Sequence, residues 1–421
     1  MKKQSAIVIA ITCISFTANS QLIKKLGDKV KTKTSQRADQ KADNAIDKAL
    51  DKTEVLAKSA TTNTSTTTTT TTDATLASTT TQPAMAQAKD TPVVNPAAFK
   101  AYQNYDFVPG EKILFEDHFA DDQTGEFPAH WELQNGQAVI NDFNGKKALL
   151  ITDGNAGWVS PLMKKKKYLD KEWTLEFDNW KKAEAYQLRV YLQDESHNDL
   201  GSININSSDM SVKYLTADGA ADKTLIGNYP EEIRDDNFLN KWHHIAIAYK
   251  DKQIKVYVDQ TRVVVVPNSN LVVGAIGLGG IGSQDGPLIF TNVRIAEGAG
   301  MNMLGKKFTD TKIVTHGINF DVNKAIIKPE SMGTLNGIVQ ILKDNPDVKF
   351  EVGGHTDSDG DDAANMKLSQ ARADAVRNQL ITMGVAAARL TTKGYGETKP
   401  ISDNTSMEGK ANNRRVEFVK K

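Results

Sequence analysis

Cysteine is all but missing from this chain, with one residue, Cys13, in 421. That excludes a disulfide scaffold and any zinc site built on thiolates. An excess of either charge is missing too, since Lys plus Arg and Asp plus Glu each number 52. A nucleic-acid binder that works by bulk positive charge is therefore excluded. Beyond the first twenty residues, no apolar run approaches the ~20 residues of a bilayer-spanning helix. Apolar residues reach only 39%, a little low for one compact globule, so part of the chain is expected outside any core. At roughly 150 residues per domain, the length suggests about two or three domains.

The N-terminal end reads as an address. Met1-Lys2-Lys3 is followed by an apolar stretch from Ala6 to Ala18 and then by Ala18-Asn19-Ser20. This predicts a signal peptide over residues 1–20, cleaved before Gln21. Thr12 fits poorly before a lipid-modified cysteine, so Cys13 is read as part of the discarded peptide. Over 21–58, Ala38, Ala42, Ala45, Ala49 and Leu56 recur at helical spacing with little side chain to bury, which predicts a solvated polar helical segment. Residues 61–81 contain 14 Thr, and Pro83, Pro92 and Pro96 follow. Such a composition cannot offset the entropy of ordering, so 59–105 is predicted to be a Thr/Pro-rich disordered linker. As a coil of ~40 residues it would span on the order of 35 Å.

Residues 110–297 read as β. Short alternating segments recur at Ile113–Phe115, Ala148–Ile151, Trp173–Phe177, Gln187–Leu192, Ser202–Ile205 and Val212–Leu215. The clearest hairpin joins Ile245–Tyr249 to Ile254–Val258 through Asp251-Lys252, with Val263–Val266 next. This predicts an all-β sandwich or jelly roll. Residues 306–421 change character. Strands are predicted at Ile313–Phe320, Val348–Val352 and Val416–Val419. A first helix opens at Lys328-Pro329-Glu330, and a second, over 363–383, carries Leu368, Ala371, Val376, Leu380 and Met383 on its buried side. The order is βαβαβ, an α/β layer fold.

Gly354-His355-Thr356-Asp357 ends a strand; Asn365, Leu368-Ser369 and Arg372-Ala373 follow on a helix. Then come Gly394-Tyr395-Gly396-Glu397 and Asn412-Asn413-Arg414-Arg415-Val416-Glu417, with Phe320-Asp321 and Asn323-Lys324 upstream. A carboxylate at a strand end and a guanidinium near the start of the next helix complement a zwitterion: the ammonium meets Asp357 and the carboxylate takes a charge-assisted fork from Arg372. This series resembles the OmpA-like peptidoglycan-binding domain over about 313–419. The resemblance implies that Asp357 and Arg372 hold the free α-carbon end of diaminopimelate in the peptidoglycan stem peptide. It implies that Asn323 and Thr356 help line the pocket, and that Asn365, Leu368 and Arg415 are further characteristic positions. For Arg414 and Arg415 a structural role at the sheet edge stands beside ligand contact. The acidic run Asp357–Asp362 lacks EF-hand spacing, with Asp362 where Gly and Leu368 where Glu would be needed, and reads as a solvated loop.

Asp117-His118-Phe119, Phe127-Pro128, Trp131 and Lys241-Trp242-His243-His244 resemble the concanavalin- and laminin-G-like jelly rolls over about 112–296. Some relatives of that fold cleave glycans with Glu-x-Asp-x-x-Glu on one strand. Here Glu176-Phe177-Asp178 begins the pattern and Lys181 ends it, which argues against a hydrolase. Most of the five Trp, all in this region, are expected in the core. His243 and His244 are expected on opposite faces of a strand, so they cannot share a metal.

The expected protein is a secreted, non-enzymatic member of a diderm cell envelope, periplasmic or associated with the outer membrane. It anchors the envelope by non-covalent peptidoglycan binding and needs no metal or cofactor. A carbohydrate is a candidate partner of the jelly roll, and nucleic acid is not a partner. The alternative is a glycan-binding or glycan-cleaving jelly-roll protein that uses the OmpA-like domain only for cell-wall retention. A motor or transport subunit of the stator type would need an uncleaved membrane helix before the domain.

Overall fold

The computed structural model describes residues 105–215, 222–298 and 310–421, all within one compact unit, Ala88–Lys421. The expected signal peptide, polar helical segment and nearly all of the linker lie outside the described residues.

The middle body has thirteen strands: β1 (Lys112–Asp117), β2 (Trp131–Phe143), β3 (Lys146–Pro161), β4 (Glu172–Trp180), β5 (Leu188–Gln193), β6 (Asp199–Ile205), β7 (Asp209–Leu215), β8 (Asp222–Asn228), β9 (Trp242–Lys250), β10 (Gln253–Val258), β11 (Thr261–Val266), β12 (Ala275–Gly282) and β13 (Leu288–Glu297). They form one antiparallel sheet in the order β11-β10-β9-β4-β13-β3-β12-β5-β6-β7-β8, with β1 added on β13 and β2 on β3. The predicted hairpin is β9–β10: Lys250 pairs with Gln253, and Asp251 and Lys252 hold φ of 49° and 66°, the left-handed pair of a type I′ turn. Instead of two separate stacked sheets, the ladder is continuous and curls into a near-barrel. Its ends, β8 and β11, pack so closely that a Cβ on Gly227 would lie 2.2 Å from the Val263 carbonyl oxygen.

Alternation builds the core. On β4, Trp173, Leu175 and Phe177 are fully buried and meet Ile245 and Ile247 of β9 in one cluster. Each such side chain contributes about 1.5–3 kcal/mol by leaving water. Of the five Trp, Trp131 and Trp173 are buried and Trp158, Trp180 and Trp242 are half-buried, so the core expectation holds fully for two. The other β4 face carries Thr174 and Glu176, which are also buried. A polar face is buried here beneath Gly110, which donates to Thr174, and Arg294, which pairs with Glu176 and reaches on to His316 O and Asn319.

The C-terminal body runs β14 (Lys312–Thr315), α1 (Met332–Asp344), β15 (Phe350–His355), α2 (Asp362–Thr382), β16 (Leu390–Gly396), α3 (Met407–Asn413), β17 (Val416–Lys420). The sheet order is β14-β17-β15-β16, with only β15 and β16 parallel. The predicted βαβαβ therefore lacked β16 and α3. The predicted strand at Ile313–Phe320 stops at Thr315, because residues 316–319 turn to meet the middle body. On α2 the buried stripe is Asn365, Ser369, Ala373, Val376 and Leu380. Ala371, predicted inward, is exposed, and Leu368 and Met383 are half-buried. The first two turns press polar side chains on the sheet, and the glycines explain why: a Cβ on Gly354 would lie 2.1 Å from Ser369 O, and one on Gly394 2.5 Å from Gln370 N. The helix lies on bare backbone.

The two bodies share a polar seam. The Asn412 side chain accepts from Ile113 N at 3.0 Å and donates to Ile113 O at 2.9 Å, pairing with β1 as a neighbouring strand would. Arg294 of β13 donates to Asn319 Oδ1 at 2.9 Å and His316 O at 3.3 Å. Tyr105 and Phe107 pack on Tyr257, and the Phe107 carbonyl lies against Gly333 of α1.

Candidate functional site

The site forms at the carboxyl ends of β15 and β16, the rim where parallel strands present their following loops. Thr356 N donates to Gly396 O at 3.0 Å, which ties the two ends together. Ser369 of α2 clamps the same corner, accepting from Gly396 N at 2.8 Å and donating to Met366 O at 2.9 Å. Asp357 follows directly. Its Oδ1 accepts from Asp359 N at 3.2 Å, and its Oδ2 receives Arg414 Nη1 at 2.5 Å. The Asp357 side chain is 11% exposed beside that guanidinium.

Arg372 approaches from α2. Its Nε donates to Lys324 O at 3.0 Å, and its guanidinium lies 4.9 Å from the Phe320 ring centre. Among the described residues no carboxylate forms an ion pair with it. Burial and then repulsion from Arg414 lower its pKa to about 10, with Asp357 opposing. The two predicted groups thus feel one another's charge without pairing, and Asp357's ion-pair partner is Arg414.

Asn323 is exposed, at φ 55°, a conformation Asn tolerates better than most residues. Its turn brings Lys324 O to Arg372. Thr356 is buried, with no hydrogen bond to Oγ1 among the described residues. Asn365 donates to Glu397 Oε2 at 2.9 Å and Asp359 O at 3.0 Å, and so fastens the loop after Asp357. Leu368 is half-buried on the same helix. Arg415 is not brought to the site. It is 5% exposed, pairs with Glu417 at 2.7 Å, and donates to Asn413 O and Lys399 O. Its neighbour Arg414 reaches Asp357 instead, as adjacent residues entering a strand point to opposite sides.

His355 stacks on Tyr395 with centroids 4.9 Å apart, and neither ring nitrogen has a hydrogen-bond partner among the described residues. Burial first, then Arg415, pushes its pKa down to about 4, so it is a neutral packing residue. The acids of the 357–362 loop are more engaged than a solvated loop would be: Asp359 pairs with Lys410 at 2.8 Å, and Asp361 caps α2 by accepting from Ala364 N at 3.0 Å.

In the middle body, His243 meets Asp259 at 2.7 Å while His244 meets Asp178 at 3.0 Å, so the two rings do face apart. Glu176 and Asp178 are enclosed by Arg294, His244 and Lys146. Asp117, Asp122 and His130 bring ligand atoms within 4.8 Å of one another. Asp117 Oδ2 and Oδ1 there already accept from Trp131 Nε1 and Phe119 N.

Residues 319–414 match the OmpA family, so the chain carries an OmpA family domain in its C-terminal body. Over 100 residues it is 47% identical to Outer membrane porin F of Pseudomonas fluorescens, covering 24% of this chain and 31% of that protein. Over 104 residues it is 47% identical to "Probable lipoprotein YiaD" of Escherichia coli (strain K12), covering 25% and 48%. Over 107 residues it is 39% identical to Peptidoglycan-binding protein ArfA of Mycobacterium tuberculosis, covering 25% and 33%. The chain thus spans about a third to a half of the length of these curated relatives.

Proposed function

We propose that the OmpA family domain binds peptidoglycan non-covalently through the free α-carbon end of a diaminopimelate-containing stem peptide, and so anchors the chain to the cell wall. The observation that carries this reading is the charge pattern at the strand rim. Asp357 supplies a carboxylate for an ammonium, and Arg372 offers guanidinium N–H groups that no acid of the described residues takes up. A zwitterionic amino-acid end satisfies both, and each charge-assisted contact is roughly twice as strong as a neutral one. The names of the relatives agree, one being a peptidoglycan-binding protein and another an outer membrane porin. On this reading the chain is exported to the periplasm or the outer membrane and acts without catalysis. The middle body is a jelly-roll-like spacer or binding module, with carbohydrate as a candidate ligand. Its glycosidase-like carboxylates, Glu176 and Asp178, are tied up by cations and buried or nearly so, which disfavours glycan cleavage.

The test is co-sedimentation of the full chain with purified diaminopimelate-type sacculi. Asp357→Asn and Arg372→Gln are each expected to lower the bound fraction at least tenfold without shifting the melting temperature by more than a few degrees. Binding unchanged in both would overturn the pocket assignment.

A further inference from the structure

The guanidinium over Asp357 has a second carboxylate. Arg414 Nη2 donates to Glu116 Oε2, on β1 of the middle body, 298 residues away in sequence. Glu116 is not free to follow Arg414. It is 4% exposed, and Arg294 grips its Oε1 from Nη2 at 2.6 Å and from Nε at 2.7 Å. Burial alone would raise its pKa, but Arg294, His118 and Arg414 reverse this and hold the carboxyl well below the usual range. Glu116 is therefore a fixed anion at the edge of the other body's site. The Arg414 side chain is less enclosed, at 36% exposure.

An arginine held by two carboxylates can release one and stay paired. A ligand ammonium that takes Asp357 must first displace this guanidinium. Were Asp357 its sole partner, displacement would leave a partly buried cation unpaired, which is costly. With Glu116 in place the cation keeps a partner throughout. We infer that Arg414 is a built-in occupant of the ammonium position, released onto Glu116 when ligand binds, so that the middle body sets the affinity of the C-terminal site. This rests on the reading of Asp357 as the ammonium acceptor.

The experiment uses the full chain, with purified sacculi and with free meso-diaminopimelate as a soluble probe, and compares Glu116→Gln, Arg414→Gln, their double variant and Asp357→Asn. Glu116→Gln leaves Arg414 bound to Asp357 alone, and affinity is expected to fall about tenfold, a change of about 1.4 kcal/mol. Arg414→Gln uncovers Asp357 and is expected to raise affinity about threefold. In that background the added Glu116→Gln has no further effect, which a merely structural role for Glu116 would not produce. If Glu116→Gln fails to fold, Glu116→Asp withdraws the carboxylate from Arg414 while keeping its charge, and is expected to weaken binding in the same sense. Binding lost in Asp357→Asn but indifferent to Glu116 sinks this inference alone. A Glu116 effect that persists without Arg414 also sinks it. Binding that survives Asp357→Asn sinks this inference, and binding unchanged in Arg372→Gln as well sinks the pocket reading with it.

Discussion

At the scale of single residues, neighbours in one motif do unrelated work. His355 sits two positions before Asp357, yet it is a neutral ring stacked on Tyr395. Its pKa falls from an ordinary 6.5 in the unfolded chain to about 4 in the fold. Above 6.5 both states are neutral and nothing is lost. As pH falls from 6.5 to about 4 the unfolded state gains a proton that the folded state refuses, so stability drops across that window. His355→Phe, which keeps a stacking ring, is expected to flatten that part of a melting-temperature profile. Sequence reasoning could propose Asp357 and Arg372 because a strand-end acid and a helix-borne base carry local signals. It could not assign Arg414, whose second partner lies on β1, beyond the reach of any local pattern. The adjacency of Arg414 and Arg415 hid which of them faces the site.

At the scale of elements, strands and helices were legible where apolar periodicity was strong. The β9–β10 hairpin follows from it, whereas α2 carries no clear apolar stripe, since its first turns bury Asn365 and Ser369. β16 was missed because Leu390–Gly396 carries Gly where alternation would need side chains, and those glycines admit α2. α3 was missed because seven residues are too few to show a helical period. Its last turn nevertheless does the docking. Asn412→Ala would leave Ile113 N–H and C=O without their amide partner at a buried seam, and we expect a loss of about 1–3 kcal/mol in urea unfolding. An unchanged midpoint would mean that solvent replaces the amide freely.

At the scale of the whole molecule, charged and polar groups of the two bodies meet at their seam, Arg414 on Glu116 and Arg294 on Asn319. His244 lies in that polar layer. Burial would lower its pKa, but Asp178 and Glu176 more than reverse this and push it up to about 10. The stability its ion pairs add is fully present below 6.5 and is lost as pH rises from there through 10. Scanning calorimetry of the full chain is expected to give one transition for both bodies at pH 7 and a falling midpoint toward pH 10, with His244→Gln flattening the decline. Two separate transitions at neutral pH would show that the seam couples nothing.

If the C-terminal body grips a wall as proposed, any pull on the middle body must pass through the join. β1 is one crossing point, laddered to β13 on one side, clipped at Ile113 by the Asn412 amide and tied at Glu116 to Arg414. Under tension that clip would share the load with the Arg414–Glu116 and Arg294–Asn319 contacts, polar links that can part while both hydrophobic cores stay closed.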